Sequence, residues 1–225
     1  MSSDNYITLG LLVCVVTSYV MCARTMPLVR YQISNLFSTP NEKSAMFHEV
    51  TKSMPYVTCL ILIGCITAAY FTLSCMIENG LIATSKENGI DRYTAIALFF
   101  LPFLITFLAK KLFLQVFAVT LLSHDKYKLA NMEVMFFMAV QAVIVTSLAL
   151  AHGFYGFNTT NAIYIAIGSI SLTEILAFYK EYRIFSKENG FNSHFFLYLC
   201  TLEAVSIALL IGFTAFLTNT LEINI

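Results

Sequence analysis

The stretch Ser193 to Thr218, SHFFLYLCTLEAVSIALLIGFTAFLT, decides the fold class because it is long and apolar. At about 1.5 Å per residue in a helix, it is long enough to cross the roughly 30 Å hydrocarbon core of a bilayer. Its one charged residue, Glu203, follows the polar run that ends at His194 by about nine residues, so it lies on the order of 13 Å deep. The stretch therefore predicts a transmembrane helix with an ionisable group near the bilayer midplane.

The composition extends this prediction to the rest of the chain. Of the 225 residues, 58% are hydrophobic and 12% are charged, whereas about a quarter of the residues in a typical soluble domain are charged. The formal net charge is zero, so no overall basic field favours a nucleic acid partner. We therefore expect a single transmembrane domain over residues 1–225, with the lipid bilayer as its surroundings.

Five further apolar stretches are separated by charged or turn-forming residues. The sequence thus predicts an all-α integral membrane bundle of six transmembrane helices. No basic residue precedes the first apolar run, so we expect a retained helix rather than a signal peptide. The predicted spans are about 6–23, 54–76, 93–109, 132–151, 161–179 and 195–217.

Two segments between the spans allow alternative interpretations. Leu28 to Phe37 fits either a short amphipathic helix on the membrane surface or a loop with one helical turn. Segment 111–122 follows Lys110 and is apolar but too short to cross a bilayer. It is therefore either an interfacial amphipathic helix or an extension of the third helix.

The distribution of Lys and Arg predicts the orientation of the bundle. The loops after spans one, three and five carry eleven of these residues, whereas the opposite side carries two, Lys86 and Arg92. Because basic residues are retained on the cytoplasmic side, both termini are expected on the outer, periplasmic side.

The run Phe196 to Glu203, FLYLCTLE, resembles the C-terminal helix of an uncharacterised family of multi-pass inner-membrane proteins from Bacteroidota, the domain of unknown function 4271 type. The resemblance covers roughly residues 47–213 as a pattern of spans and is specific in these eight residues. The family motif continues to a proline three residues beyond the glutamate, where this chain has Ser206. The resemblance implies a bacterial inner (cytoplasmic) membrane but no activity and no cofactor.

The candidate site is an intramembrane polar network. In the predicted orientation two carboxyl groups and two lysines lie in the inner half of the bilayer. A charged side chain at a helix centre costs roughly 2.5–3.5 kcal/mol on insertion scales, so each is expected to have a partner or a proton. The predicted network consists of Glu203, Glu174, Lys110, Lys111, Tyr198 and Thr201.

Three roles for Glu203 are compatible with the sequence. The carboxyl group is protonated or paired with Lys110 or Lys111, which pins the sixth helix against the third. Alternatively, it lines a polar path for a proton, cation or small solute, with Gln141 among the wall residues. In the third case it contacts a partner subunit or a lipid headgroup.

Other chemistry has little support in the sequence. The six cysteines lack CxxC spacing and are interpreted as small apolar residues. The four histidines lack HxxxH or HExxH spacing, which is typical of helical metal sites. We therefore expect no catalytic residue, no metal, no cofactor and no enzymatic activity.

These features lead to two functional hypotheses. The first is a non-catalytic inner-membrane protein, a subunit or scaffold of a complex in envelope biogenesis or protein export, with other inner-membrane proteins as partners. The second is a proton- or ion-coupled small-solute transporter that uses Glu203 and Glu174. The pentapeptide SKENG occurs at 85–89 and 186–190, which is either a trace of two inverted halves or a coincidence.

Overall fold

The computed structural model describes residues 2–34, 45–80, 92–121, 124–189, 208, 211–212 and 215–216. Within these ranges the chain is helical, without strands, as the composition predicts. The sixth predicted span lies outside the described ranges except for residues 208, 211, 212, 215 and 216, which are helical. The long helices are α1 (Ser2–Ser34), α2 (Ala45–Glu78), α3 (Arg92–Leu121), α4 (His124–Tyr155) and α5 (Thr159–Asn189).

Each of the five helices contains an apolar stretch long enough to cross a bilayer. This property, from length and composition together, indicates a membrane protein. The candidate spans are Leu9–Ile33, Thr51–Glu78, Thr94–Val116, Tyr127–Tyr155 and Thr159–Lys180.

Successive helices run in opposite directions, with α2 and α4 packed side by side at the centre. Each of four core clusters joins the end of one helix to the start of the next, as expected for neighbours connected by short links. The residues that share a cluster are Tyr31 with Val57, Leu73 with Phe99, Leu114 with Ala130, and Ala149 with Ala162.

α2 and α4 approach each other closely at Gly64. A Cβ atom placed there would lie 2.8 Å from the Cα atom of Ala142 and closer still to its Cβ atom. Near this contact the buried hydroxyl groups of Thr67 and Thr146 lie 2.9 Å apart. Small residues let helix backbones approach closely, so this pair of helices depends on the absence of a side chain at residue 64.

The helices are longer than the predicted spans, mainly at one end of the bundle. α1 and α5 continue to Ser34 and Asn189, whereas α2 and α4 begin early, at Ala45 and His124. α3 continues without a break to Leu121, so the structure shows the extended third helix rather than a separate interfacial one. We call this end the basic end, after its exposed side chains Arg30, Lys52, Lys111 and Lys128.

α1 continues through Pro27, although proline normally kinks or ends a helix. Proline cannot donate a backbone hydrogen bond and costs a helix interior about 3 kcal/mol. Beyond it, Leu28 and Tyr31 are each 1% exposed in the core, and burial of a large apolar side chain contributes roughly 1.5–3 kcal/mol. This packing offsets the proline, so residues 28–34 belong to the bundle rather than to a surface helix or a loop. Residues 35–37 lie outside the described ranges.

Candidate functional site

An ion pair joins α3 to α5 inside the apolar region. The Lys110 ammonium group donates to both carboxylate oxygens of Glu174, with Nζ to Oε1 and Oε2 distances of 2.8 and 2.9 Å. The exposed fractions of the two side chains are only 9% and 16%. The pair is therefore shielded from most of the surroundings of the bundle.

Gln141 connects this ion pair to α4. Its Nε2 atom donates to Oε1 of Glu174 at 2.9 Å and to Oγ1 of Thr173 at 3.1 Å. The Thr173 hydroxyl in turn lies 2.8 Å from the backbone carbonyl of Ile170, one turn earlier in α5. Lys110, Gln141, Thr173 and Glu174 thus form one hydrogen-bonded unit, the α3–α4–α5 network.

The network stabilises Glu174 as an ionised carboxylate. Glu174 lies about six residues before the end of its candidate span, or about 9 Å inside it. A charge at such a depth requires a partner, and a carboxylate that accepts from an ammonium and an amide gains strong, charge-assisted hydrogen bonds. The positive and negative charges of the pair compensate each other. This arrangement can fix three helices relative to one another.

The structure brings together two members of the predicted network, Lys110 and Glu174. Lys111, the next residue of α3, has an exposed side chain. Gln141, expected as the wall residue of a polar path, binds Glu174 directly. The remaining members, Tyr198, Thr201 and Glu203, lie outside the described residues.

A second buried polar cluster lies towards the basic end. The sequence analysis did not predict that its residues lie together. Glu133 of α4, Gln32 of α1 and Lys180 of α5 are 0%, 1% and 4% exposed. The Gln32 amide lies beside the Glu133 carboxyl group, and the charge of Lys180 acts on it. Glu133 is the second residue of the predicted fourth span, 132–151, whereas the candidate span of α4 already begins at Tyr127. We call these three residues the Glu133 cluster.

A third polar cluster lies at the opposite end of the bundle and also joins three helices. His152 of α4 is buried, and its Nε2 atom lies 3.2 Å from Oε1 of Glu78 at the end of α2. Its Nδ1 atom lies 3.0 Å from the carbonyl oxygen of Phe157. The Thr159 hydroxyl, at the start of α5, donates to the other carboxylate oxygen of Glu78. We call this cluster the His152 clasp.

The short turn between α4 and α5 positions the clasp. Gly156 follows α4 with a φ of 60°, in the left-handed region that glycine tolerates. Asn158 then caps α5, since its Oδ1 atom accepts from the backbone N–H of Thr160 at 2.9 Å. Phe157, between them, thereby presents its carbonyl group to His152. The sequence signal for this turn was the glycine and asparagine after His152.

His152→Phe should lower the free energy of unfolding by about 0.5–1.5 kcal/mol, because the aromatic ring is kept while the Phe157 carbonyl group and the Glu78 carboxylate lose their contacts with the imidazole. The ring contact with Phe71, at a centroid distance of 5.8 Å, should persist. Thermal unfolding in detergent micelles measures the change. Tyr155→Phe is the matched control, since Tyr155 is 88% exposed. Equal stability of the two variants would contradict the role of the clasp.

Other reactive residues do not gather around these clusters. Among the described residues, no group of three or more His, Cys, Asp or Glu side chains is arranged to hold a metal ion. Cys14, Cys22, Cys59, Cys65 and Cys75 are free thiols, and Cys200 lies outside the described ranges.

The fold and its buried clusters define a helical membrane protein whose helices are joined by polar side chains inside the apolar region. Residues 7–214 match the family described as Domain of unknown function (DUF4271). Since this match covers most of the chain, the protein belongs to that family. Comparison with curated proteins and with solved structures found no match.

Proposed function

We propose that the chain is a non-catalytic subunit or scaffold of a membrane protein complex that acts in envelope biogenesis or protein export. The observation that carries this proposal is the state of Glu174, which accepts hydrogen bonds from Lys110 and Gln141. Separating this carboxylate from its donors has a large free-energy cost, since a buried charge without its partner is strongly unfavourable. The geometry therefore favours a role in joining helices over a role in carrying a solute.

The proposed setting is the inner membrane of a bacterium of the Bacteroidota, with six transmembrane helices and both termini on the periplasmic side. The sixth helix rests on the apolar stretch Ser193 to Thr218. The orientation rests on the excess of Lys and Arg in the loops of the basic end. The taxonomic assignment and the type of membrane rest on the resemblance of the run Phe196 to Glu203 to its family.

Two helices present apolar surfaces that fit partner proteins as well as lipid. Along α1 and α5, large hydrophobic side chains point away from the bundle over most of the candidate spans. Such surfaces are expected at lipid contacts and at contacts within membrane complexes, where shape rather than hydrophobicity selects the partner. The exposed residues include Leu9, Leu12, Val16, Tyr19 and Val20 on α1, and Tyr164, Ile167, Leu172 and Ile175 on α5.

Isolation of the tagged full chain from its native membrane in a mild detergent tests the proposal. We expect other integral membrane proteins to co-purify in fixed ratio, as measured by native mass spectrometry. Leu172→Trp and Val16→Trp keep the exposed surfaces apolar but change their shape. One of them should release a partner while the abundance of the chain stays constant. A lone monomer in both detergent and lipid nanodiscs would contradict the proposal.

The transporter hypothesis is the second candidate, because the Glu133 cluster adds another buried carboxyl group between helices. It predicts that Glu203→Gln abolishes solute or ion flux in proteoliposomes and leaves the abundance of the protein unchanged. Lower abundance with unchanged flux would instead support a structural role for Glu203 and the scaffold proposal.

A further inference from the structure

Glu133 differs from Glu174 in having no hydrogen-bond donor. Its residue exposure is 0%, and neither carboxylate oxygen has a hydrogen-bond partner in the part of the chain that the structure describes. An isolated buried carboxylate is so unfavourable that such a group normally becomes neutral instead. Glu174, with its three donor contacts from Lys110 and Gln141, is the opposite case within the same bundle.

The groups that face Glu133 come from two neighbouring helices. Lys180 of α5 brings a positive charge close to the carboxyl group, but its ammonium group makes no hydrogen bond to either oxygen. Gln32 of α1 lies beside the carboxyl group. Its Nε2 atom is also without a hydrogen-bond partner among the described residues.

A primary amide is the natural partner of a neutral carboxylic acid. The acid O–H donates to the amide oxygen while the amide N–H donates to the acid carbonyl, so both groups are satisfied by two hydrogen bonds. A carboxylate only accepts hydrogen bonds, and in that state the amide oxygen of Gln32 gains nothing from Glu133. The amide N–H of Gln32 can donate to either form of Glu133, but only the protonated form can also donate to the amide oxygen.

We propose that Glu133 is a proton-binding site: its carboxyl group carries a proton at neutral pH and pairs with the amide of Gln32. Loss of the proton leaves a carboxylate whose negative charge attracts the Lys180 ammonium group of α5. This inference goes beyond the scaffold proposal, and its outcome is independent of whether a partner protein co-purifies.

Infrared spectroscopy of the full chain in lipid at neutral pH tests the proposal. A protonated carboxylic acid has a C=O stretching band well separated from carboxylate bands, and exposed Asp and Glu residues are ionised at this pH. We expect such a band in the unmodified chain and a shift of the band when glutamate is labelled with ¹³C at its side-chain carboxyl. The labelling experiment needs no substitution, so it does not depend on a variant that folds.

Variants then assign the band, each made in a Glu203→Gln background so that the other intramembrane carboxyl group outside the ion pair does not contribute to it. Glu133→Gln, which has nearly the same shape, should abolish it, whereas Glu174→Gln should leave it in place. Gln32→Leu should keep the band but move it to higher frequency, because the acid carbonyl loses its hydrogen-bond donor. The proposal is overturned if the unmodified chain lacks the band, if the band persists in Glu133→Gln, or if Glu174→Gln removes it. Absence of the band would mean that Glu133 is ionised and paired with Lys180.

Discussion

Lys110→Met should lower the free energy of unfolding by about 3–5 kcal/mol, because it leaves the buried Glu174 carboxylate without its counter-charge. The Lys110 and Glu174 side chains are 9% and 16% exposed, so solvent screening compensates little of this loss. Gln141 still donates one hydrogen bond, but a neutral amide does not balance the charge. The change is measured by thermal or denaturant unfolding in detergent micelles and by the abundance of the protein in membranes.

Two further variants separate the ion pair from other effects of the substitution. Lys111→Met removes a positive charge at the next residue of α3, where the side chain is exposed, and should change the stability by less than about 1 kcal/mol. The double variant Lys110→Met and Glu174→Leu should recover most of the lost stability, since replacement of both partners of a buried pair is often nearly neutral. A double variant that is less stable than Lys110→Met alone would contradict this account.

Gly64→Ala should lower the free energy of unfolding by about 1–3 kcal/mol, the usual range for an overpacked core, and Gly64→Leu should lower it further. The added Cβ atom would lie within 2.8 Å of the Ala142 backbone, so α2 and α4 must separate. Separation would also lengthen the 2.9 Å contact between the Thr67 and Thr146 hydroxyl groups. The stability of each variant is measured in detergent, as above.

A compensating change on α4 provides the specific test. Ala142→Gly removes the nearest atom that the new Cβ atom meets but leaves the Cα atom at 2.8 Å, so Gly64→Ala with Ala142→Gly should recover part of the stability that Gly64→Ala loses. Gly168→Ala is the control, because a Cβ atom at this exposed position of α5 meets nothing within 4 Å. If Gly64→Ala and Gly168→Ala have the same stability, the close contact between α2 and α4 is not a determinant of the fold.

The sequence predicted the all-helical class and the apolar segments of α1 to α5 well, because apolar composition and length are properties of each segment by itself. It predicted the helix ends poorly. Gln32, Glu133 and Lys180 resemble loop or interface residues in the sequence, yet each is almost completely buried. Their burial comes from contacts between helices distant in the chain, and no local pattern encodes those contacts.

The sequence also identified the two residues of the ion pair but not their pairing. Lys110 and Glu174 were singled out because charges beside or inside apolar runs need partners, but the sequence alone did not assign Glu174 to Lys110. That assignment depends on how α3 and α5 are rotated and how far each is displaced along the bundle. The His152 clasp was not foreseen, because it depends on the carbonyl direction set by the turn at Gly156.

The three-residue turn between α4 and α5 has a consequence for the synthesis of the protein. Because the turn is so short, these two helices form a hairpin that can leave the ribosome and enter the bilayer as one unit. Lys110 is synthesised 64 residues before Glu174. During synthesis, Lys110 therefore enters the membrane before the carboxylate with which it pairs. Arrival of α5 supplies the carboxylate and links α3 to the hairpin, so a chain that stops before α5 lacks the ion pair between α3 and α5.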